Sequence, residues 1–170
     1  IKAAKEGIRR LGATELDSGS YPVVFSNEMS QELLGIFSGT FSAKNIQKGI
    51  SLLAGRLKET VASGNLTLYD NALLSDGFAS RPFDDEGTPS QCIEVLREGV
   101  LLTYLHNHYT ARKDGVRSTG NAARGSIKAA VEVAPSNFYL SPGDRTLEEL
   151  MASAGSGVFI VELDGLHSGA

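Results

Sequence analysis

The chain has 170 residues, of which 41% are hydrophobic and 21% charged, and a formal net charge of -4. That is enough chain for one domain with a core, and the acid excess argues against a general nucleic-acid binder, which needs a basic face. The one cysteine, Cys92, excludes an intramolecular disulfide and a four-cysteine zinc site and fits a reducing cytoplasm, and no apolar run reaches the length of a membrane span.

In chain order, Ile1, Ala4, Ile8 and Leu11 fall at helical spacing, with Gly12 as a stop. Asp17 to Ser20 is a turn. Pro22 to Phe25 predicts a short strand, apolar enough to be buried on both faces. Ser26 or Asn27 can then cap a helix whose stripe is Met29, Leu33, Ile36 and Phe37. Ser38-Gly-Thr ends it. Ser42 to Leu53 predicts a second helix with Ile46, Ile50 and Leu53 as its stripe, weakened by Gly49.

After Gly64 the texture turns to strands. Leu66 to Tyr69 is one, closed by Asp70-Asn71. Asp76-Gly77 is a turn. Cys92 to Leu96, then Arg97-Glu-Gly, then Val100 to Leu105 predict a β-hairpin. Residues 107–128 carry small and basic residues with little periodicity and are expected to form a long loop that includes at most a helical turn. Asn137 to Leu140 is a strand. Thr146, with Glu149 three residues on, signals a capping box for a short helix to Ala152, and Val158 to Leu163 is the last strand. The order gives an α+β fold: helices first (1–60), then a mainly antiparallel, strand-rich portion (61–170) with one late short helix. The start without Met fits a single fragment of a longer protein.

Among the candidate sites, Phe83-Asp-Asp-Glu-Gly-Thr-Pro sets three carboxylates beside an aromatic, with Gly87 and Pro89 marking a turn. Its ordinary state is a solvated acidic turn. His106 and His108 would share a face of a strand but have no third ligand nearby. Cys92, next to Ile93 and Val95, reads as a buried structural thiol. Arg112, Lys113, Arg117, Arg124 and Lys128 form a basic stretch without interleaved aromatics, so direct nucleic-acid binding is not expected. A solvated loop or a contact with an acidic partner fits it better.

Taken together in order, several pieces resemble the TldD/PmbA family, once described as modulators of DNA gyrase. They are Val23-Val-Phe, Lys48-Gly-Ile-Ser-Leu-Leu, Leu66-Thr-Leu-Tyr-Asp, the acidic run, Glu98-Gly-Val-Leu, Thr110-Ala-Arg, Ser118-Thr-Gly-Asn, Pro135-Ser-Asn-Phe-Tyr-Leu-Ser-Pro-Gly and Gly157-Val-Phe-Ile. The resemblance implies a cytoplasmic zinc metalloprotease pair. One member, TldD, carries a His-Glu-x-x-x-His helix; the other, TldE or PmbA, lacks it. In this chain that motif would fall on Asn27, Glu28 and Glu32, which keeps the glutamate and loses both imidazoles that zinc needs. Positions one and six lie roughly 140° apart on a regular helix, so a zinc-binding version must distort. Without that demand, a regular helix is expected over Asn27 to Phe37. Glu28 and Glu32, one turn apart, would suit a hard cation or, more ordinarily, a solvated face.

The resemblance therefore implies a non-catalytic TldE/PmbA-like subunit with no cofactor of its own and zinc on a TldD-like partner. The pair would act on unfolded peptides. Phe83, Asp84, Asp85, Glu86 and Gly87, with Ser118, Thr119, Gly120 and Asn121, are its expected partner or peptide-channel residues. A divergent metallopeptidase active by itself, and a self-associating protein forming homodimers, are the other readings.

Overall fold

The computed structural model describes residues 11–166 together with Ala4, Gly7 and Ile8; most of the helix expected over Ile1–Leu11 lies outside them. The α+β architecture is as expected. The centre is an antiparallel sheet of order β4-β3-β2-β7, built from β2 (Leu68–Asn71), β3 (Cys92–Arg97), β4 (Val100–Leu101) and β7 (Phe138–Leu140). Two smaller pairs flank it: β1 (Val23–Phe25) parallel to β8 (Val158–Ile160), and β5 (Ala122–Ala123) antiparallel to β6 (Glu132–Val133). Four α-helices occur among the described residues: α1 (Asn27–Phe37), α2 (Ala43–Gln47), α3 (His108–Asp114) and α4 (Leu147–Ala154).

The core lies under the central sheet. Leu68, Val95, Leu96, Leu101, Tyr104 and Leu105 pack there with Phe41 and Ala43. Burying such side chains stabilises by about 1.5–3 kcal/mol each. The Phe138 ring meets Phe41 edge-on at 5.6 Å, which ties β7 to the short 3-10 turn Ser38–Phe41 that follows α1. Tyr104 lies in the core and donates its hydroxyl to the Leu53 carbonyl at 2.5 Å.

α1 is continuous from Asn27 to Phe37. Ser26 caps it by accepting from the Met29 N–H, and Glu28 sits in its first turn, where a carboxylate complements the helix dipole. At the far end the Ser38 and Thr40 hydroxyls donate to the carbonyls of Gly35 and Phe37 at 2.7 Å each, so two terminal acceptors are satisfied. The inward face differs from the expected stripe. Met29 is buried and Leu33 half-buried, but Ile36 and Phe37 are exposed, and Leu34 packs on the core in their place.

The second helix is shorter than the span Ser42 to Leu53. It ends at Gln47 because Gly49 takes φ +71, the left-handed conformation that closes a helix, and the Ile50 N–H reaches back to the Asn45 carbonyl. The second hairpin strand also stops early, at Leu101. The expected loop over 107–128 contains α3 and β5. Asn107 caps α3 and Thr110 reciprocates, while Gly115 closes it in the left-handed region. α4 carries the expected capping box of Thr146 and Glu149. β1 is not buried on both faces: Val23 and Phe25 are exposed, since β1 has a single strand neighbour, β8, and α4 against it. Cys92 is likewise exposed rather than buried. Cys92 opens β3 at its exposed end, and the strand becomes buried only at Val95 and Leu96.

The β3–β4 hairpin turns on Glu98 (φ 48) and Gly99 (φ 78), the paired left-handed conformations of a two-residue hairpin turn. A Cβ on Gly99 would stand 2.3 Å from the Ala62 carbonyl oxygen and 2.8 Å from that of Ser63, both backbone atoms that cannot swing aside. Gly99→Ala is therefore expected to cost about 2–4 kcal/mol, from left-handed strain plus overpacking. Urea unfolding measures this directly, and a loss under about 1 kcal/mol would contradict the tight packing inferred here.

Candidate functional site

Two loops expected to carry function come together. In the loop 83–89, Phe83 and Pro89 form a bridge, and the Asp84 N–H bonds the Thr88 carbonyl. The Asp84 side chain then turns inward. Its Oδ1 accepts from the Glu86 and Thr88 N–H groups at 3.0 and 2.8 Å, and its Oδ2 from the Ala122 N–H at 3.0 Å. Asp84 is only 2% exposed. The run is thus not a solvated acidic turn at its centre. A carboxylate that receives three N–H donors is satisfied without solvent.

The neighbouring acids hold the same assembly. Asp85 accepts from the Arg124 N–H at 2.6 Å, and Glu86 from the His108 N–H, the first of α3, at 2.7 Å. Three successive acids therefore attach one loop to the strand β5, the segment after it, and the start of a helix. Phe83 remains 59% exposed and Asp85 exposed, while Glu86 is half-buried.

Ser118 to Asn121 wraps the other side. The Ser118 and Thr119 hydroxyls and the Thr119 and Asn121 N–H groups all reach the His106 carbonyl, at 3.0 to 3.3 Å. The Asn121 amide donates to the Asp70 carboxylate at 2.5 Å and to the Ala134 carbonyl at 3.1 Å. Asp70 also accepts from the Ser136 N–H and hydroxyl at 2.6 and 2.8 Å. Burial raises the Asp70 pKa from its ordinary value, opposed by those hydrogen bonds from Asn121 and Ser136. Asn121, Asp70 and Asp84 are all nearly inaccessible. These residues build the site rather than line its surface.

His106 and His108 do not share a ligand face. His106 is buried after the core residue Leu105, with Nδ1 unpartnered, and burial lowers its pKa. His108 opens α3, its Nε2 3.1 Å from the Thr88 hydroxyl.

The motif positions lie elsewhere. Asn27, Ser30, Gln31 and Leu34 line one wall of a groove of about 750 Å³. The opposite wall is β7 with the loop of Leu74 and Phe78, the latter fully exposed. Glu28 and Glu32 are exposed on the helix beside that stripe. An amide and two carboxylates form a hard-cation donor set, not the imidazole set of a catalytic zinc. Among the described residues no three His, Cys, Asp or Glu side chains are grouped to hold a metal. The residues present do not fit zinc, and no step through a metal is derived for this chain.

β7 is the last strand of its sheet, so one edge is open. The Asn71 N–H bonds the Asn137 carbonyl and the Ser141 N–H bonds that of Thr67. With Tyr69 opposite Tyr139, the backbone groups of Asn137, Tyr139 and Ser141 turn toward β2. Those of Phe138 and Leu140 turn the other way, and no described residue pairs with them. Phe138, Tyr139 and Leu140 all line the groove. The residue signals located neither this groove nor the strand that edges it. The signal available was Asn137 and Ser80: the Asn137 side-chain amide donates to the Ser80 hydroxyl and its Oδ1 accepts from the Ala79 N–H, which sets the loop that makes the far wall.

Residues 18–170 match the family model described as PmbA/TldA metallopeptidase C-terminal domain. A metalloprotease PmbA homolog of Buchnera aphidicola is 31% identical over 164 residues, 96% of this chain and 34% of that protein. A Thermotoga maritima structure, described as a candidate modulator of a DNA gyrase, superposes with a TM-score of 0.89 at 41% identity, over 99% of this chain and 38% of its own. TldE from Thermococcus kodakarensis superposes at 0.72 with 25% identity, over 86% of this chain and 36% of its own. The chain thus spans about a third of the length of these relatives. With a family model matched from residue 18 onward, and the fold shared by these structures, the chain belongs to the PmbA/TldD family of metallopeptidase-like proteins.

Proposed function

We propose that this chain is the peptide-holding, non-catalytic part of a cytoplasmic metalloprotease assembly, and that a TldD-like partner supplies the zinc and the general base. The observation that carries the reading is the groove between α1 and the open edge of β7. An extended peptide can add to that edge through the Phe138 and Leu140 backbone, reading conformation more than sequence. The helix wall keeps the place where a metallopeptidase motif would start, at Asn27, without its imidazoles. The chain is similar both to a structure named TldE and to TldD homologs, and the missing imidazoles at Asn27 and Glu32 favour the non-catalytic kind. No helix among the described residues is long and apolar enough to cross a membrane.

The acidic loop divides its work. Asp84 fixes the loop from within, and Phe83 and Asp85 present the outer surface for a partner. The alternative of an enzyme active by itself would need Glu28 and Glu32 to hold a metal. The alternative of self-association is read by light scattering with and without a TldD-like protein.

Three measurements test this reading. Zinc content of the protein, purified alone under metal-sparing conditions, is expected near zero; a value near one per chain would favour the self-sufficient metallopeptidase. A peptide capped at both ends is expected to bind, and to bind about tenfold more weakly when alternate amides are N-methylated, since one or two backbone hydrogen bonds are lost. Equal binding of the two peptides would remove the strand-edge mode. Asp84→Ala is expected to cost about 3 kcal/mol of stability by leaving buried N–H donors unpaired, whereas Phe83→Ala leaves the melting temperature unchanged and weakens binding of the TldD-like partner. If Phe83→Ala left partner binding intact, the acidic loop would not be the interface.

A further inference from the structure

A second cavity, of about 370 Å³, lies where the acidic loop meets α3. Its wall includes Thr88, His108, Arg112, Arg117, Ala111 and Val116. Neither guanidinium has a hydrogen-bond or ion-pair partner among the described residues, although acids outnumber bases 20 to 16 in the chain. Two acids on the same loop and helix are engaged by neutral donors. Glu86 takes the His108 N–H, and Asp114 takes the Gln47 amide at 2.8 Å. The carbonyls at the end of α3 do not repel an anion there either. Those of Ala111 and Arg112 accept from the Gly115 N–H, and that of Ala111 from the Val116 N–H. The Thr88 hydroxyl and the His108 ring are within hydrogen-bond distance and hold each other in place.

We propose that this cavity binds an organic carboxylate, namely the C-terminal residue of a peptide, with Arg112 and Arg117 on the carboxylate and Ala111 and Val116 against the side chain. Two unpaired guanidiniums on one wall select an oxyanion, since a planar fork matches a carboxylate through two parallel bonds. The apolar part of the wall selects among oxyanions. Inorganic phosphate would leave Ala111 and Val116 facing a fully hydrated ion, whereas the last residue of a peptide offers both a charge and a side chain. Arg112 in the last turn of α3 also complements the helix dipole, but Arg117 lies beyond the helix and has no such reason to face the cavity. The proposal rests on the peptide-binding reading above and adds a recognised chain end to it.

The test compares three probes by calorimetry and by the NMR shifts of the two guanidinium Nε–H groups. They are acetyl-Ala-Ala-Leu with a free carboxylate, the same peptide as its C-terminal amide, and inorganic phosphate. The free acid is expected to bind at least about tenfold more tightly than the amide, the worth of one charge-assisted pair. Arg112→Gln and Arg117→Gln are each expected to bring the acid down to the level of the amide, and Arg117→Lys to restore part of the difference. Both side chains are exposed, so unchanged melting temperatures are expected and are measured alongside. Acid and amide binding alike, or neither binding, would overturn the proposal. Phosphate binding as tightly as the acid would overturn the peptide-terminus assignment and leave a phosphoryl site. The groove fails separately: Ser30→Trp, on the wall of α1, is expected to block the doubly capped peptide and leave the acid untouched, and the two arginine variants do the reverse.

Discussion

Three backbone N–H groups converge on the Asp84 carboxylate, and much of the surface that can do something depends on them. Two come from its own loop and one from Ala122, which is far away in sequence. A buried, ionised carboxylate is costly unless fully hydrogen-bonded. The loop can therefore be compact only when β5 is alongside it, and β5 lies there only when Ser118 to Asn121 have wrapped the His106 carbonyl. Asp85 and Glu86 extend the attachment to the segment after β5 and to the first turn of α3. One short acidic run thus holds three elements through their backbone N–H groups.

The buried polar groups here form two linked centres. Asp70, Asn121 and Ser136 make one; Asp84 and the Ala122 amide make the other, one residue along the chain from Asn121. Asp70, Asn121 and Asp84 are too buried to touch a partner, while the half-buried Ser136 reaches the groove wall. The residues with access are those around them: Phe83 and Asp85 on one side, Thr88, Arg112 and Arg117 on another. This separation of a rigid polar interior from a reactive rim is how loops acquire fixed geometry without regular secondary structure.

The sequence was legible where local signals were strong. α1 begins and ends where Ser26 and the Ser38-Gly-Thr run place it, and α4 follows its Ser/Thr-x-x-Glu signature. α3 reads in the sequence as no more than a helical turn within a long loop, for two physical reasons. Its cap uses Asn107 with Thr110, a pair outside the usual acidic pattern, and its inward face is Thr110 and Ala111, too small and polar to register as an apolar stripe. The Ser42–Leu53 stripe was real as a set of apolar residues, but Gly49 broke the helix that would have aligned them. The inward turn of Asp84 could not be read, because its third donor comes from a residue whose proximity is purely tertiary. The groove had the same obstacle, since the open edge of β7 exists only once the strand order is known.

The parallel pairing of β1 with β8 joins Val23 to Val158, some 135 residues apart. The Ser26 N–H, at the cap of α1, bonds the Ile160 carbonyl at 2.9 Å. One wall of the groove is therefore moored to the last strand of the described chain. Contacts of such sequence separation form late, because the intervening chain must close first. During synthesis the ribosome must release Ile160 before α1 can settle against β7. A nascent chain would therefore close its central sheet, at Leu140, before Ile160 is present to anchor α1, so the groove between them is the later of the two to form.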